Sequence, residues 1–140
     1  HRDMPAKFAE NSFLVPGDKI VGIVIPENGM TIFSVDSKEI LKYEKSPESW
    51  IKVEWKEEID YTFISRIKIT IINEVGVLNS ITSTIADFGG NITNLILNER
   101  DNDFYNLIID INVNDSEHIT DIVKSLEGLP VVEDVKRFVG

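Results

Sequence analysis

The chain contains no cysteine, which excludes disulfides, thiolate zinc sites, iron–sulfur ligation and a cysteine nucleophile, and suits a reducing, cytoplasmic setting. It is short of positive charge, with 14 Lys and Arg against 24 Asp and Glu, a formal net charge of −10. Tight, sequence-blind binding to nucleic acid needs a basic surface, so this balance argues against it. No apolar run approaches the ~20 residues that span a bilayer, no signal-peptide pattern opens the chain, and no membrane role is expected. Histidine occurs only at His1 and His118. There is no phosphate-binding Gly-rich loop with its Lys-Ser/Thr, no Gly-x-Ser-x-Gly and no His-Glu-x-x-His. What remains is an acidic sequence with 42% hydrophobic residues in 140, enough to build a core without metal or disulfide staples. The opening His1-Arg2-Asp3 reads as a vector scar or the cut end of a longer chain, with Met4 either a start or an internal residue.

The acidic excess is even along the chain. Residues 1–60 carry 8 basic and 12 acidic side chains, and residues 61–140 carry 6 and 12. The charged stretch Lys56-Glu57-Glu58-Ile59-Asp60 marks the boundary between two units, 1–60 and 61–140. In the first, Pro16-Gly17-Asp18 is a turn signal, and Val21-Gly22-Ile23-Val24-Ile25 reads as a buried strand. Pro26-Glu27-Asn28-Gly29 turns it back into a strand over residues 30–34, Asn28-Gly29 being the pair that tolerates positive φ. Asp36 with Glu39 forms a capping box for a short helix closed before Pro47. Residues 50–55 alternate as a strand with one apolar face.

The second unit has a clearer rhythm. A strand over residues 63–72 places Ile67, Ile69 and Ile71 on one face. A turn at Asn73-Glu74-Val75-Gly76 leads into a helix with the stripe Val77, Leu78, Ile81, Ile85 and Phe88, stopped by Gly89-Gly90. A strand over 91–99, a hairpin turn at Arg100-Asp101-Asn102-Asp103 and an alternating strand through Tyr105, Leu107, Ile109, Ile111 and Val113 follow. Asn114 or Asp115 caps a second helix with the stripe Ile119, Ile122, Val123 and Leu126, ended by Gly128 and Pro130, before a last strand over 131–139. The order β-α-β-β-α-β is the ferredoxin-like split arrangement, an antiparallel sheet with both helices on one face. The fold class is therefore α+β, a small β-hairpin/helix/strand domain followed by a βαββαβ domain.

Chemistry-bearing residues are few. His118 falls in the first turn of the second helix and reads as a surface residue. Glu57-Glu58-Asp60 and Asp101/Asp103 read as solvated charge. The most informative local feature is Asn73-Glu74-Val75-Gly76-Val77-Leu78, where glycine lets a small ligand approach the backbone and the helix start offers free N–H groups to a carboxylate. The competing reading is a tight turn whose glycine serves geometry alone.

Taken together, Gly76-Val77-Leu78, Gly90-Asn91-Ile92 and Leu129-Pro130 before a Val-rich strand resemble an ACT domain. In the first unit, Val15-Pro16-Gly17-Asp18-Lys19-Ile20-Val21-Gly22, Gly29-Met30-Thr31-Ile32-Phe33 and Val53-Glu54-Trp55 resemble the small zinc-finger-like domain that precedes the ACT domain in long RelA/SpoT-type (p)ppGpp synthetase/hydrolases. That domain holds zinc through a Cys-Cys pair and a His-x-x-x-Cys, and here those positions read Asn11, Ser12, Phe33 and Ser37. The resemblance therefore implies a degenerate domain with no zinc and no other cofactor.

The resemblance also implies a function. The family's catalytic domains lie upstream of this region, so the chain is expected to be a non-catalytic regulatory module of the stringent response. It would pass ligand binding or oligomeric state to those upstream domains. Family partners include the ribosome or tRNA, a small amino acid, and a second copy paired through the ACT domain, for which Ile72 and Leu95-Ile96-Leu97 supply apolar groups. A bound amino acid is expected where the Asn73–Leu78 loop faces the start of the next strand. Asn73, Glu74, Gly76, Val77 and Leu78 would meet Asn91 and Ile92 there, with Val75 beside the apolar slot. The rival readings are a stand-alone amino-acid-sensing ACT module and a dimerisation scaffold without ligand.

Overall fold

The computed structural model describes residues 5–99, 101 and 103–139, with the side chain of Glu99 outside the description. Residues 1–4, Arg100, Asn102 and Gly140 lie outside it, and with them the opening His1-Arg2-Asp3-Met4 and half of the expected hairpin turn.

Among the described residues the strands form two four-stranded sheets. The first is built from β1 (Ala6–Phe8), β2 (Ile20–Ile25), β3 (Gly29–Ser34) and β4 (Trp50–Ile51), in the order β1-β3-β2-β4. The β2–β3 hairpin pairs Ile25 with Gly29, so residues 26–28 form the loop. Positive φ falls on Glu27 and Gly29, not on Asn28 as the dipeptide suggested. The short helix is of the 3-10 type over Lys38–Tyr43. Its cap is Ser37, whose hydroxyl accepts the Glu39 N–H at 3.2 Å, rather than Asp36, whose own N–H is bonded to Ser34 Oγ. Of the strand expected over 50–55, only Trp50 and Ile51 pair with β2. Trp55 is drawn away instead. Its Nε1 donates to the Asp18 carbonyl at 2.9 Å, and its ring stacks on Phe8 and meets Phe63 edge-on. Strand β1, which pairs parallel with β3, was not expected.

The second sheet is formed by β5 (Phe63–Ile72), β6 (Asn91–Glu99), β7 (Phe104–Val113) and β8 (Val132–Arg137), in the order β6-β7-β5-β8. Helices α1 (Val77–Asp87) and α2 (Ser116–Glu127) cover one face. Alternation along β5 and β7 sends Ile67, Ile69, Ile71, Leu107, Ile109 and Ile111 into the layer beneath the helices, all fully buried. They meet Ile81 and Ile85 of α1 and Ile119, Ile122 and Leu126 of α2. Leu78 and Phe88, expected on the α1 stripe, are instead exposed. Asp115 caps α2, its carboxylate accepting the His118 N–H at 2.8 Å. His118 ties the helix ends together: its Nδ1 accepts the Asn114 N–H, so Nε2 carries the proton and donates to Phe88 O at 2.6 Å.

The opposite face of this sheet is mixed, with Ile64, Ile96 and Ile108 among polar side chains. Arg66 and Asp110 sit on neighbouring strands and form a two-pronged ion pair at 2.7 and 2.9 Å. Thr70 bonds to Asn106 on the same face.

Candidate functional site

Where β5 ends, Asn73 is held by its N–H on Asp103 O and Glu74 by its N–H on Ile72 O. Gly76 then takes φ +83°, a left-handed conformation that reverses the chain into α1. No atom stands within 4 Å of where a Cβ would project from Gly76. The glycine is thus required by backbone angle and leaves open space above it. Helix α1 has no side-chain cap, and the Val77 N–H turns back to Glu74 O at a long 3.4 Å. A helix start of this kind presents N–H dipoles outward.

Beside this turn lies a cavity of about 230 Å³. Asn73, Glu74, Gly76, Val77 and Leu78 form one wall, and Leu97 of β6 and Tyr105 of β7 form the other. The volume lies below the ~300–1,000 Å³ of drug-sized pockets. Leu97 and Tyr105 were not foreseen. The pairing of Leu97 with Leu107 and of Ile71 with Tyr105 brings them here.

Asn91 and Ile92 are not part of this cavity. Strands β5 and β6 both pair antiparallel with β7 between them, so they run parallel to each other. The end of β5 therefore lies beside the end of β6, and the start of β6 lies at the far edge of the sheet. Asn91 pairs with Asn112, which pairs with Ile64, eight residues back along β5 from Ile72. At ~3.3 Å per residue the separation is about 26 Å. Within one chain, the expected meeting of the loop with Asn91 and Ile92 does not occur.

The positions that would answer a family zinc site lie in the first half. Ser12, Phe33 and Ser37 are buried, and the Phe33 ring packs against Tyr43 at 6.4 Å. Two hydroxyls, an amide and a phenyl ring do not make a zinc donor set, so the residues do not fit the metal. Asp101 serves its turn, its carboxylate accepting the Asp103 and Phe104 N–H groups. Among the described residues no helix is long and apolar enough to cross a membrane.

The ACT domain model matches residues 60–137, and the RelA/SpoT RIS domain model matches residues 1–56. The GTP pyrophosphokinase rsh of Brucella abortus (strain 2308) is 36% identical over 140 residues, covering 99% of this chain and 18% of the relative. The bifunctional (p)ppGpp synthase/hydrolase SpoT of Escherichia coli (strain K12) is 30% identical over 145 residues, covering 98% of this chain and 21% of the relative. The chain thus spans about a fifth of the length of the curated relatives it matches. The crystal structure of the ACT domain from GTP pyrophosphokinase of Chlorobium tepidum is 28% identical, with a TM-score of 0.48 over 54% of this chain and 97% of that one.

Proposed function

We propose, for a chain that belongs to the ACT domain family and carries a RelA/SpoT RIS domain ahead of it, that it is a non-catalytic regulatory module acting on upstream (p)ppGpp synthetase/hydrolase domains. Its working units are residues 1–60 and 61–140. The observation that carries the reading is the loop cavity: a glycine held at positive φ, an uncapped helix start and a space of about 230 Å³ at one end of an otherwise closed core. The ligand is a small amino acid. The N–H groups at the start of α1 receive its carboxylate, Glu74 its ammonium, and Val77, Leu78 and Leu97 its side chain.

A homodimer completes this site. Strand β6 is a sheet edge, and residues 91–98 contain neither charge nor proline, the usual guards of such an edge. Ile96 and Leu97 are 44% and 45% exposed on it. Two β6 edges pairing antiparallel about Leu95 would set Asn91 and Ile92 of the partner subunit opposite Glu99 and Asn98. The start of one strand then reaches the loop of the other, and the seven site residues meet across the two-fold.

Ribosome or tRNA contact is the less favoured reading. The formal net charge of −10 works against the phosphate attraction on which RNA affinity rests.

The experiment is a titration of the protein with individual amino acids, followed by backbone amide NMR shifts, together with sedimentation equilibrium at micromolar concentration. The expected result is a doubled mass, and shifts confined to residues 73–78, 91–93 and 97 for one class of amino acid. A doubled mass with a flat response at millimolar ligand would leave a dimerisation scaffold. A strictly monomeric profile would remove the shared site.

A further inference from the structure

The turn at Pro16-Gly17-Asp18 does not belong to the first sheet alone. Pro16 and Gly17 occupy its central positions, Gly17 has φ +98°, and the Asp18 N–H closes it on Val15 O at 3.0 Å. The Asp18 carboxylate also accepts the Val15 N–H at 2.9 Å within the turn, and its remaining partners come from the second half. The Asp18 carboxylate receives both arms of the Arg137 guanidinium, at 2.7 and 2.5 Å, across 119 residues of sequence. These side chains are only 13% and 20% exposed, so the pair is shielded from water and salt. Arg137 stands at the end of β8. Its Nε also donates to Ser65 Oγ at the start of β5, and its Nη2 to Phe13 O. The Pro16 carbonyl accepts the Ser116 N–H at 2.7 Å, one of the first-turn donors of α2 that no intrahelical carbonyl can satisfy.

Packing repeats the pattern. A Cβ on Gly17 would crowd the Ser116 side chain, so the turn packs closely against the start of α2. Val15 is fully buried within the core cluster of the second sheet. The Arg66 guanidinium lies over the Phe13 ring at 4.5 Å from its centroid.

The geometry points to the Pro16-Gly17-Asp18 turn as a clamp, closed by Arg137, that fixes the RIS domain and the ACT domain in one orientation. The connector at residues 56–58 and 60 is exposed, and the contacts that join the two halves centre on the buried fork of Arg137. A change in the ACT domain that moves the end of β8 or the start of α2 therefore moves the RIS domain with it. This inference rests on the contacts alone and stands apart from the ligand reading.

Residual dipolar couplings of the intact 140-residue chain test it. In the unaltered protein one alignment tensor should fit amides of both halves. Asp18→Asn and Arg137→Ala should split it into two, with couplings in residues 20–34 falling at least twofold in range while those of β5 and β7 persist. Arg137→Lys keeps the charge but lacks the fork, and carries the same test should Arg137→Ala not fold. Two tensors in the unaltered protein, or one shared tensor in the folded variants, would overturn the clamp.

Discussion

Arg66 and Asp110 show how a charge pair on the helix-free face of a sheet can be shielded by its neighbours, here the Phe13 and Phe138 rings over the guanidinium. The hydrogen bond from Arg66 holds the Asp110 carboxyl below the usual carboxylate range, against partial burial that pushes it up. Asn94 adds a third contact at 3.4 Å. A group whose folded value is depressed stabilises the fold only while it is ionised. Its contribution is whole above the unfolded value of about 3.9, and it is lost as the pH falls through the folded value. Asp110→Asn is therefore expected to cost about 2 kcal/mol at pH 7 by urea denaturation, the scale of a charged hydrogen bond removed. The same comparison below pH 4 should show the gap closing. A constant gap across that range would mean that the charge is not what Asp110 contributes.

The elements of the second half were the most legible from sequence, because their signals are local. Ile67, Ile69 and Ile71 alternate at the strand period, and Ile119, Ile122 and Leu126 recur at helical spacing. The cap of α2 was legible to within one residue, Asn114 or Asp115, and Asp115→Ala is expected to lower stability by about 1 kcal/mol, read as a fall in the denaturation midpoint at unchanged slope. Elements that depend on distant partners escaped. Ala6-Lys7-Phe8 has no alternation to betray a strand and pairs only because β3 returns beside it. The strand over 50–55 stops at Ile51 because Trp55 is bonded to a carbonyl 37 residues away. The site was half legible. The loop residues gather because they are contiguous, whereas Asn91 and Ile92 were misplaced within the chain through strand direction. A helix crossover from β5 returns β6 to the end where β5 began, a signal that the element order itself contained.

Viewed whole, the molecule has a core that does not respect its domain boundary. Val15, from the first half, is among the fully buried side chains of the second. Trp50 lies in the first half and Trp55 at the seam, against Phe63, so tryptophan fluorescence reports the first half and its docking while the amides of β7 report the second. Unfolding should follow one transition by both probes. Val15→Ala should lower both midpoints together, by about 2 kcal/mol, as loss of a buried branched side chain does. Fluorescence changing before the β7 amides would show that the halves unfold separately.

The fork of Arg137 on Asp18 also bears on how such chains are recombined. Each half carries one member of a charge pair that neither can keep alone in a shielded place. A chimera that takes its N-terminal half from one relative and its C-terminal half from another inherits a functional seam only if acid and base arrive together. The junction that matters for grafting is therefore not the charged connector, where a cut looks safe, but the complementarity of two positions 119 residues apart.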